Sequence, residues 1–229
     1  MCTAIVSNAK KTIVGWNLDL GILPCRVVAQ KEQVYIAVQD KTEGWLPLFG
    51  ANSRGDFVAM PTCWPYDNRS DPAAQTDCNI ILLDIDLLLG KKTFAETKDI
   101  AENRCICSVS GITYQAQLSD KYGNVLQITP GQGVRYLPRP DFAVMTNFSL
   151  YKGNSEQHPL MGLDRYAKAT ALLRSRSDAF DVDDCFALLR EVSQTDCPTA
   201  VSMVFDVEKN TVYWCENMQW QNICKHTMG

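Results

Sequence analysis

The chain has 229 residues, of which 46% are hydrophobic and 21% are charged, and its formal net charge is −4. This length is enough for a large buried core, and the composition excludes global disorder. The acidic balance gives no support to binding of nucleic acid or of an anionic membrane surface, and no apolar run approaches the roughly 18 residues of a membrane span.

The first half of the chain is rich in predicted strands. Residues 2–7 and 12–17 are β-branched runs separated by a short polar stretch, 8–11, which predicts a hairpin. Further strands are predicted at 27–29, 34–38 and 57–60. An apolar run at 79–89 ends at Gly90, and a helix is predicted over 93–103 because Thr93 and Glu96 have the spacing of a capping box.

The second half contains the clearest predicted helices. Two strands, 113–119 and 125–129, flank the turn residues Gly123 and Asn124. Apolar residues at helical spacing predict helices over 163–175 and 182–193, and a final hairpin is predicted from strands 199–207 and 211–215. No repeat or flexible linker interrupts the chain. We therefore expect a single α+β domain over residues 1–229, with antiparallel sheets and helices segregated from them.

The ten cysteines are many for the cytoplasmic protein that we expect, since residues 1–12 show no secretory signal. They form no Cys-x-x-Cys pair, and there are two histidines, so a zinc site has little support. Most of the cysteines lie in apolar runs, which predicts nine reduced and packed thiols besides Cys2. A thiol redox or metal protein remains an alternative that rests on cysteine number.

Cys2 differs from the other cysteines because it follows Met1. If Met1 is removed, the thiol and a free α-amine are carried by one residue, and an α-amine titrates near ~7.7–8.0, close to the working pH of a general base. The amine can then accept the thiol proton without a histidine. The alternative is that Cys2 is an ordinary residue of the first strand, since thiol reactivity depends on its surroundings.

Five short motifs resemble the choloylglycine hydrolase family of N-terminal-nucleophile hydrolases, which includes bile salt hydrolases and penicillin V acylases. They are MCTAI at 1–5, GWNLD at 15–19, SDKYGNV at 119–125, VMTN at 144–147 and LDRY at 163–166. Their order and approximate spacing agree with the family over essentially the whole chain. The resemblance implies the four-layer αββα sandwich of these hydrolases.

The resemblance also implies four catalytic residues. Cys2 would be the nucleophile with its α-amine as base, Asp19 would orient that amine, Asn147 would donate to the tetrahedral oxyanion, and Arg165 would favour the thiolate. Each has a plainer alternative: a turn carboxylate for Asp19, an Asx turn for Asn147, and an exposed arginine at a helix start for Arg165.

Three further residues are candidates for substrate binding. Trp16 stands where the family usually has an arginine near the nucleophile, so the site loses a cation and gains apolar surface. Thr62 falls approximately at the family's second oxyanion position. Trp64 is a candidate for lining an acyl pocket, with aromatic core packing as the alternative.

One difference from the larger family members is a missing excursion. Residues 148–164 alone separate Asn147 from Arg165, where larger members carry a hairpin used in tetramer assembly. That mode of assembly should be absent, which leaves a homo-oligomer of another kind open.

The function that we expect is hydrolysis of a linear, non-peptide amide C–N bond through an acyl-thioester on Cys2. The substrate would be a small N-acyl amide, with no cofactor and no metal. Two alternatives remain: transfer of the same acyl group to an amine, and a non-catalytic binding protein. The second is suggested by Trp16 and by retention of Met1.

Overall fold

The computed structural model describes residues 1–21, 23–40, 43–63, 78–108, 113–151, 161–176 and 179–229. The strands of these residues are β1 (Cys2–Ser7), β2 (Ile13–Asp19), β3 (Cys25–Ala29), β4 (Gln33–Asp40), β5 (Gly44–Asn52), β6 (Phe57–Ala59), β7 (Cys78–Asn79), β8 (Ile106–Cys107), β9 (Ala116–Ser119), β10 (Val125–Thr129), β11 (Gly133–Leu137), β12 (Phe142–Met145), β13 (Thr199–Asp206), β14 (Thr211–Glu216) and β15 (Cys224–Thr227). The helices are α1 (Ile80–Leu88), α2 (Phe94–Asn103), α3 (Leu163–Ser175) and α4 (Val182–Glu191).

The strands form two large antiparallel sheets. A six-stranded sheet has the order β12-β1-β2-β13-β14-β15, and a seven-stranded sheet has the order β11-β10-β9-β6-β5-β4-β3. The inner faces of the two sheets share one apolar core, which includes Trp16 of β2 and Phe49 of β5. A short parallel pair, β7 and β8, lies outside both sheets.

Helices cover the outer faces of both sheets. α3 and α4 pack on the six-stranded sheet around a core that contains Ile5 and Leu189. α1 and α2 pack on the seven-stranded sheet around Leu87 and Leu118. The layers therefore run helix, sheet, sheet, helix, which confirms the predicted α+β class and αββα sandwich.

Local sequence explains where the helices begin. Thr93 and Glu96 form the predicted capping box of α2, and Asp181 caps α4 in the same way. The side chain of Asn79 accepts the main-chain N–H of Ile81 at 2.9 Å, so the apolar run at 79–89 becomes helix α1.

The predicted hairpin at the amino terminus is confirmed, since β1 and β2 pair from Cys2 with Leu18 to Ser7 with Ile13. The final hairpin is also confirmed by the pairing of β13 with β14. Strand β9 begins later than expected, because Tyr114 instead makes an isolated bridge with Thr62. The strands that the sequence analysis did not identify are β5, β7, β8, β11, β12 and β15.

None of the ten cysteines, all of which lie in described parts of the chain, forms a disulfide. Cys105 and Cys224 are exposed, so the prediction that every cysteine besides Cys2 is packed is wrong for these two. Within the described ranges, no group of three or more His, Cys, Asp or Glu side chains is placed to hold a metal ion. The same residues include no helix with the length and apolar character needed to cross a membrane.

Candidate active site

Cys2 is the first residue of β1, and it belongs to the core between the two sheets, where it is 4% exposed. Its main-chain N–H donates to Oδ1 of Asn147 at 2.8 Å. Burial raises the pKa of the Cys2 thiol to about 11, against the lowering effect of the nearby N-terminal ammonium group. The thiol is therefore protonated at neutral pH and needs a base before it can attack a carbonyl carbon.

Asn147 connects Cys2 to Thr62. It follows β12, the strand next to β1, and it is buried. Its Oδ1 also accepts Nη2 of Arg165 at 2.8 Å, while its Nδ2 donates to the main-chain oxygen of Thr62 at 2.8 Å and to the Thr62 hydroxyl at 3.0 Å. Two donors at one end and two acceptors at the other fix the orientation of the amide.

Arg165 lies in the first turn of α3 and reaches β1 from the helical side of the sheet. Its Nη1 donates to the main-chain oxygen of Cys2 at 2.5 Å and to the Thr3 hydroxyl at 2.9 Å. The same nitrogen lies 3.8 Å from Oδ2 of Asp19. Since a guanidinium group carries five N–H donors in one plane, this buried side chain holds β1, Asn147 and Asp19 together.

Gly162 makes room for this guanidinium group. It precedes α3 with a φ of 81°, in the left-handed region that glycine adopts at little cost. A Cβ atom at this position would lie 2.6 Å from Nη2 of Arg165. Gly162 was not among the predicted site residues, although its place directly before a predicted helix was a signal.

Asp19 ends β2 and is fully buried. The Thr199 hydroxyl donates to its Oδ1 at 2.7 Å, and Nε2 of Gln194 donates to its Oδ2. Burial raises the pKa of the Asp19 carboxyl group, against the lowering effects of the Thr199 hydrogen bond and the Arg165 charge. Thr199 and Gln194 were not predicted as site residues, because Thr199 contacts Asp19 across 180 positions of sequence and no local pattern marks such a contact.

Met1 pairs with Asp19 in the chain as it stands. The α-amine of Met1 donates to the main-chain oxygen of Asp19, and the main-chain N–H of Asp19 donates to the Met1 oxygen at 2.8 Å. These two bonds extend the pairing of β1 and β2 by one residue. While Met1 is attached, the Cys2 nitrogen belongs to a peptide bond, and its lone pair is delocalised into the carbonyl group and cannot act as a base.

The predicted substrate-binding residues have different surroundings. Trp16 is fully buried, and its ring centroid lies 4.3 Å from that of Phe49. The structure gives Trp16 a packing contact in the core, and its contact with substrate stays a prediction. Thr62 lies beside Asn147, as described above, whereas Trp64 lies outside the described residues.

The structure thus brings together Cys2, Asp19, Asn147 and Arg165, which come from four separate segments of the chain. Thr62 joins them through Asn147. The result is a buried cluster that contains a thiol, a carboxyl group, a guanidinium group and a primary amide. Such a set can hold a nucleophile, its proton and a developing negative charge.

Solved structures with a similar fold include enzymes named for hydrolysis or acyl removal. The C2A mutant of conjugated bile acid hydrolase from Clostridium perfringens has a TM-score of 0.67 and 14% identity, covering 100% of this chain and 92% of that chain. Penicillin V acylase from Agrobacterium tumefaciens has a TM-score of 0.69 and 13% identity, covering 100% of this chain and 86% of that chain. The Caenorhabditis elegans ortholog of N-acylethanolamine-hydrolyzing acid amidase has a TM-score of 0.58 and 18% identity, covering 90% and 93%.

These similarities confirm the fold that the sequence motifs implied. No protein-family profile matches the chain, and no curated protein sequence matches it.

Proposed function

We propose that the protein, once its Met1–Cys2 bond is cleaved, is an N-terminal cysteine amidase that hydrolyses a linear, non-peptide amide C–N bond. One observation carries this proposal: the nitrogen of Cys2 lies 2.8 Å from Oδ1 of Asn147, in the cluster that Arg165 and Asp19 complete. A fold similar to that of hydrolases and acylases supports it.

The α-amine of Cys2 supplies the base in the first step. It accepts the thiol proton, and Sγ then bonds to the carbonyl carbon of the substrate as the carbonyl electron pair moves to oxygen. When the tetrahedral intermediate collapses, the C–N bond breaks and the amine leaves with the proton of the α-ammonium group. Water then attacks the acyl-thioester, gives a proton to the α-amine, and releases the carboxylic acid and the thiol.

Arg165 and Asp19 place one positive and one negative charge beside the groups that react in this step. Nη1 of Arg165 holds the main-chain oxygen of Cys2 at 2.5 Å, so the guanidinium charge stays next to the nucleophile. Asp19 lies 3.8 Å from the same nitrogen and is fully buried. A carboxylate in this position stabilises the ammonium group that forms on Cys2.

The oxyanion donors would come from Asn147 and Thr62 acting as a pair. Both N–H groups of Asn147 are accepted by Thr62 in this structure, so Asn147 donates to an oxyanion only after one of these bonds is released. The Thr62 hydroxyl accepts from Asn147 and keeps its own O–H as a donor. This arrangement supports the predicted role of Thr62.

The proposed substrate is a small N-acyl amide, and the proposed setting is the cytoplasm, where thiols stay reduced. The absence of disulfides among the ten cysteines, all of them in described segments, is consistent with that setting.

A non-catalytic binding protein is the second candidate, and the hydrogen bonds between Met1 and Asp19 favour it. Intact-mass measurement of freshly expressed protein separates the two candidates. A mass that lacks methionine supports the amidase, whereas a uniform full-length mass with no turnover supports the non-catalytic protein.

The amidase is tested by incubation with a panel of N-acyl amides and mass spectrometry of the quenched protein. We expect an acyl adduct on the Cys2 peptide and release of the free acid. Cys2→Ala should lose both while keeping its thermal unfolding transition, and Cys224→Ala, at an exposed thiol, is the matched control. Full turnover by Cys2→Ala would refute the proposal. Products formed with added amines separate acyl transfer from hydrolysis.

A further inference from the structure

Cleavage of the Met1–Cys2 bond releases two main-chain groups of Asp19. Its N–H donates to the Met1 oxygen at 2.8 Å, and its C=O accepts the Met1 amine. The C=O also accepts the Cys197 thiol at 3.2 Å, which leaves one of its two lone pairs for another donor. Polar main-chain groups in a buried site require partners, so the cleaved protein has an N–H and a C=O directed at the place of Met1.

We propose that these two groups bind the acyl part of the substrate, which takes the place of Met1 and pairs with Asp19 as one more residue at the start of β1. The N–H of Asp19 donates to the oxygen of the scissile carbonyl group, and the C=O of Asp19 accepts an N–H carried on the neighbouring α-carbon. The inference rests on the proposed function and narrows its substrate to amides of α-acylamino acids. The amine that leaves is not part of a peptide chain.

Met1 itself shows that such a unit fits. Its α-ammonium group and its C=O flank one α-carbon, and they make both hydrogen bonds with Asp19 at once. The carbonyl carbon of Met1 is bonded to the nitrogen of Cys2. A substrate carbonyl group in the same place therefore lies next to Cys2, whose thiol is the nucleophile.

The same N–H is suited to the negative charge of the reaction. As Sγ bonds to the carbonyl carbon, the electron pair of the C=O bond moves to oxygen, which the Asp19 N–H already contacts. When the intermediate collapses, this pair reforms the C=O bond, the C–N bond breaks, and the amine leaves with the proton of the Cys2 α-ammonium group. A main-chain donor needs no rearrangement during this step. Asn147 and Thr62 add donors to the same oxygen once one of the hydrogen bonds between them is released.

The first test compares two fluorogenic amides that share 7-amino-4-methylcoumarin as the leaving amine. One carries an N-acetylalanyl group, and the other carries a 2-methyl-4-oxopentanoyl group, in which CH₂ replaces the N–H. Since a hydrogen bond contributes about 0.5–1.5 kcal/mol, we expect the N-acetylalanyl amide to have a kcat/KM about two- to tenfold higher. Equal values, or hydrolysis of other N-acyl amides but neither of these, would overturn the inference. Failure of every amide to acylate Cys2 would instead refute the amidase itself.

The second test replaces the N–H of Asp19 by an ester oxygen, through incorporation of the α-hydroxy analogue of aspartate. The side chain is kept, and we expect kcat to fall about 10²-fold, the loss found when one oxyanion donor is removed. An ester at Leu18 is the control, because alternate residues of a strand point their hydrogen bonds to opposite neighbours and Leu18 pairs with Val201 of β13. Equal losses in the two esters would mean that the N–H of Asp19 has only a structural role.

Discussion

Replacement of Arg165 by methionine should destabilise the fold strongly, because Arg165 is the buried cation beside Asp19. The substitution removes hydrogen bonds to Cys2, Thr3 and Asn147 and leaves a fully buried carboxyl group 3.8 Å from where the guanidinium nitrogen was. Removal of one partner of a buried ion pair typically costs about 3–5 kcal/mol. Thr199 and Gln194 still donate to Asp19, so we expect a loss of about 3 kcal/mol, near the lower end of this range.

The loss of stability caused by R165M should be larger at higher pH. Burial already raises the pKa of Asp19 in the folded protein, so the folded state binds more protons than the unfolded state and stability falls as pH rises through this range. Without the Arg165 charge the pKa of Asp19 rises further. The difference in free energy of unfolding between parent and R165M should therefore be larger at about pH 8 than at about pH 5, where Asp19 is more protonated.

Urea denaturation of both proteins at several pH values measures this difference. Arg174→Met is the matched control, since Arg174 is exposed on the same helix and surface changes usually stay within about 0.5 kcal/mol. Arg165→Lys, which keeps the charge but not the planar set of donors, should fall between the two. A loss of under about 1 kcal/mol for R165M, or a loss that does not vary with pH, would refute the assignment of Arg165 as the compensating charge of Asp19.

Three further predictions concern Gly15, Gly162 and the α-amine of Cys2. Gly15→Ala should reduce the free energy of unfolding by about 1–3 kcal/mol, because the new Cβ would clash with Sγ of Cys185. Adding Cys185→Ala to this variant should restore part of the lost stability. Equal losses in the single and the double variant would show that the clash with Cys185 is not the cause. Gly162→Ala should lower kcat and stability together, since its Cβ would displace Arg165, and a crystal structure with Arg165 unmoved would refute this. In protein that begins at Cys2, kcat/KM should rise with pH around the α-amine pKa of about 7.7–8.0, and a pH-independent profile would exclude the amine as base.

The parts of the fold that could be predicted from sequence are those with local signals. The hairpin of β1 and β2 has two β-branched runs and a polar turn, and α2 has a capping box. Strand β5 contains Pro47 and Gly50 within a mixed pattern, and its strand character comes from pairing with β4 and β6. No residue of β11 is fully buried, so the strand shows no clear alternation of buried apolar and exposed polar residues. Such strands are defined by their neighbours in the sheet, which a single segment does not encode.

Some residues of the candidate site could also be predicted from local sequence, whereas others are brought there only by the fold. Cys2, Asp19, Asn147 and Arg165 were identified because each lies in a motif that resembles the family, and the structure places all four together. Thr199 was missed because its hydroxyl contacts Asp19 only through the pairing of β13 with β2. The hydrogen bonds of Met1 were also beyond prediction, because they depend on the register of the first hairpin.

Because Trp16 adds no positive charge beside the Cys2 thiol, the proposed chemistry depends on a base at the amino terminus. It stands where the family usually has an arginine, and it packs on Phe49 without adding a charge. Burial raises the pKa of the Cys2 thiol to about 11 even with Arg165 and an ammonium group nearby, so these cations alone do not form a thiolate at neutral pH. The proton must then pass to a base, and the α-amine of Cys2 exists only after Met1 is cleaved. The same cleavage frees the N–H of Asp19, so one covalent step supplies both the base and the proposed binding group for the substrate carbonyl.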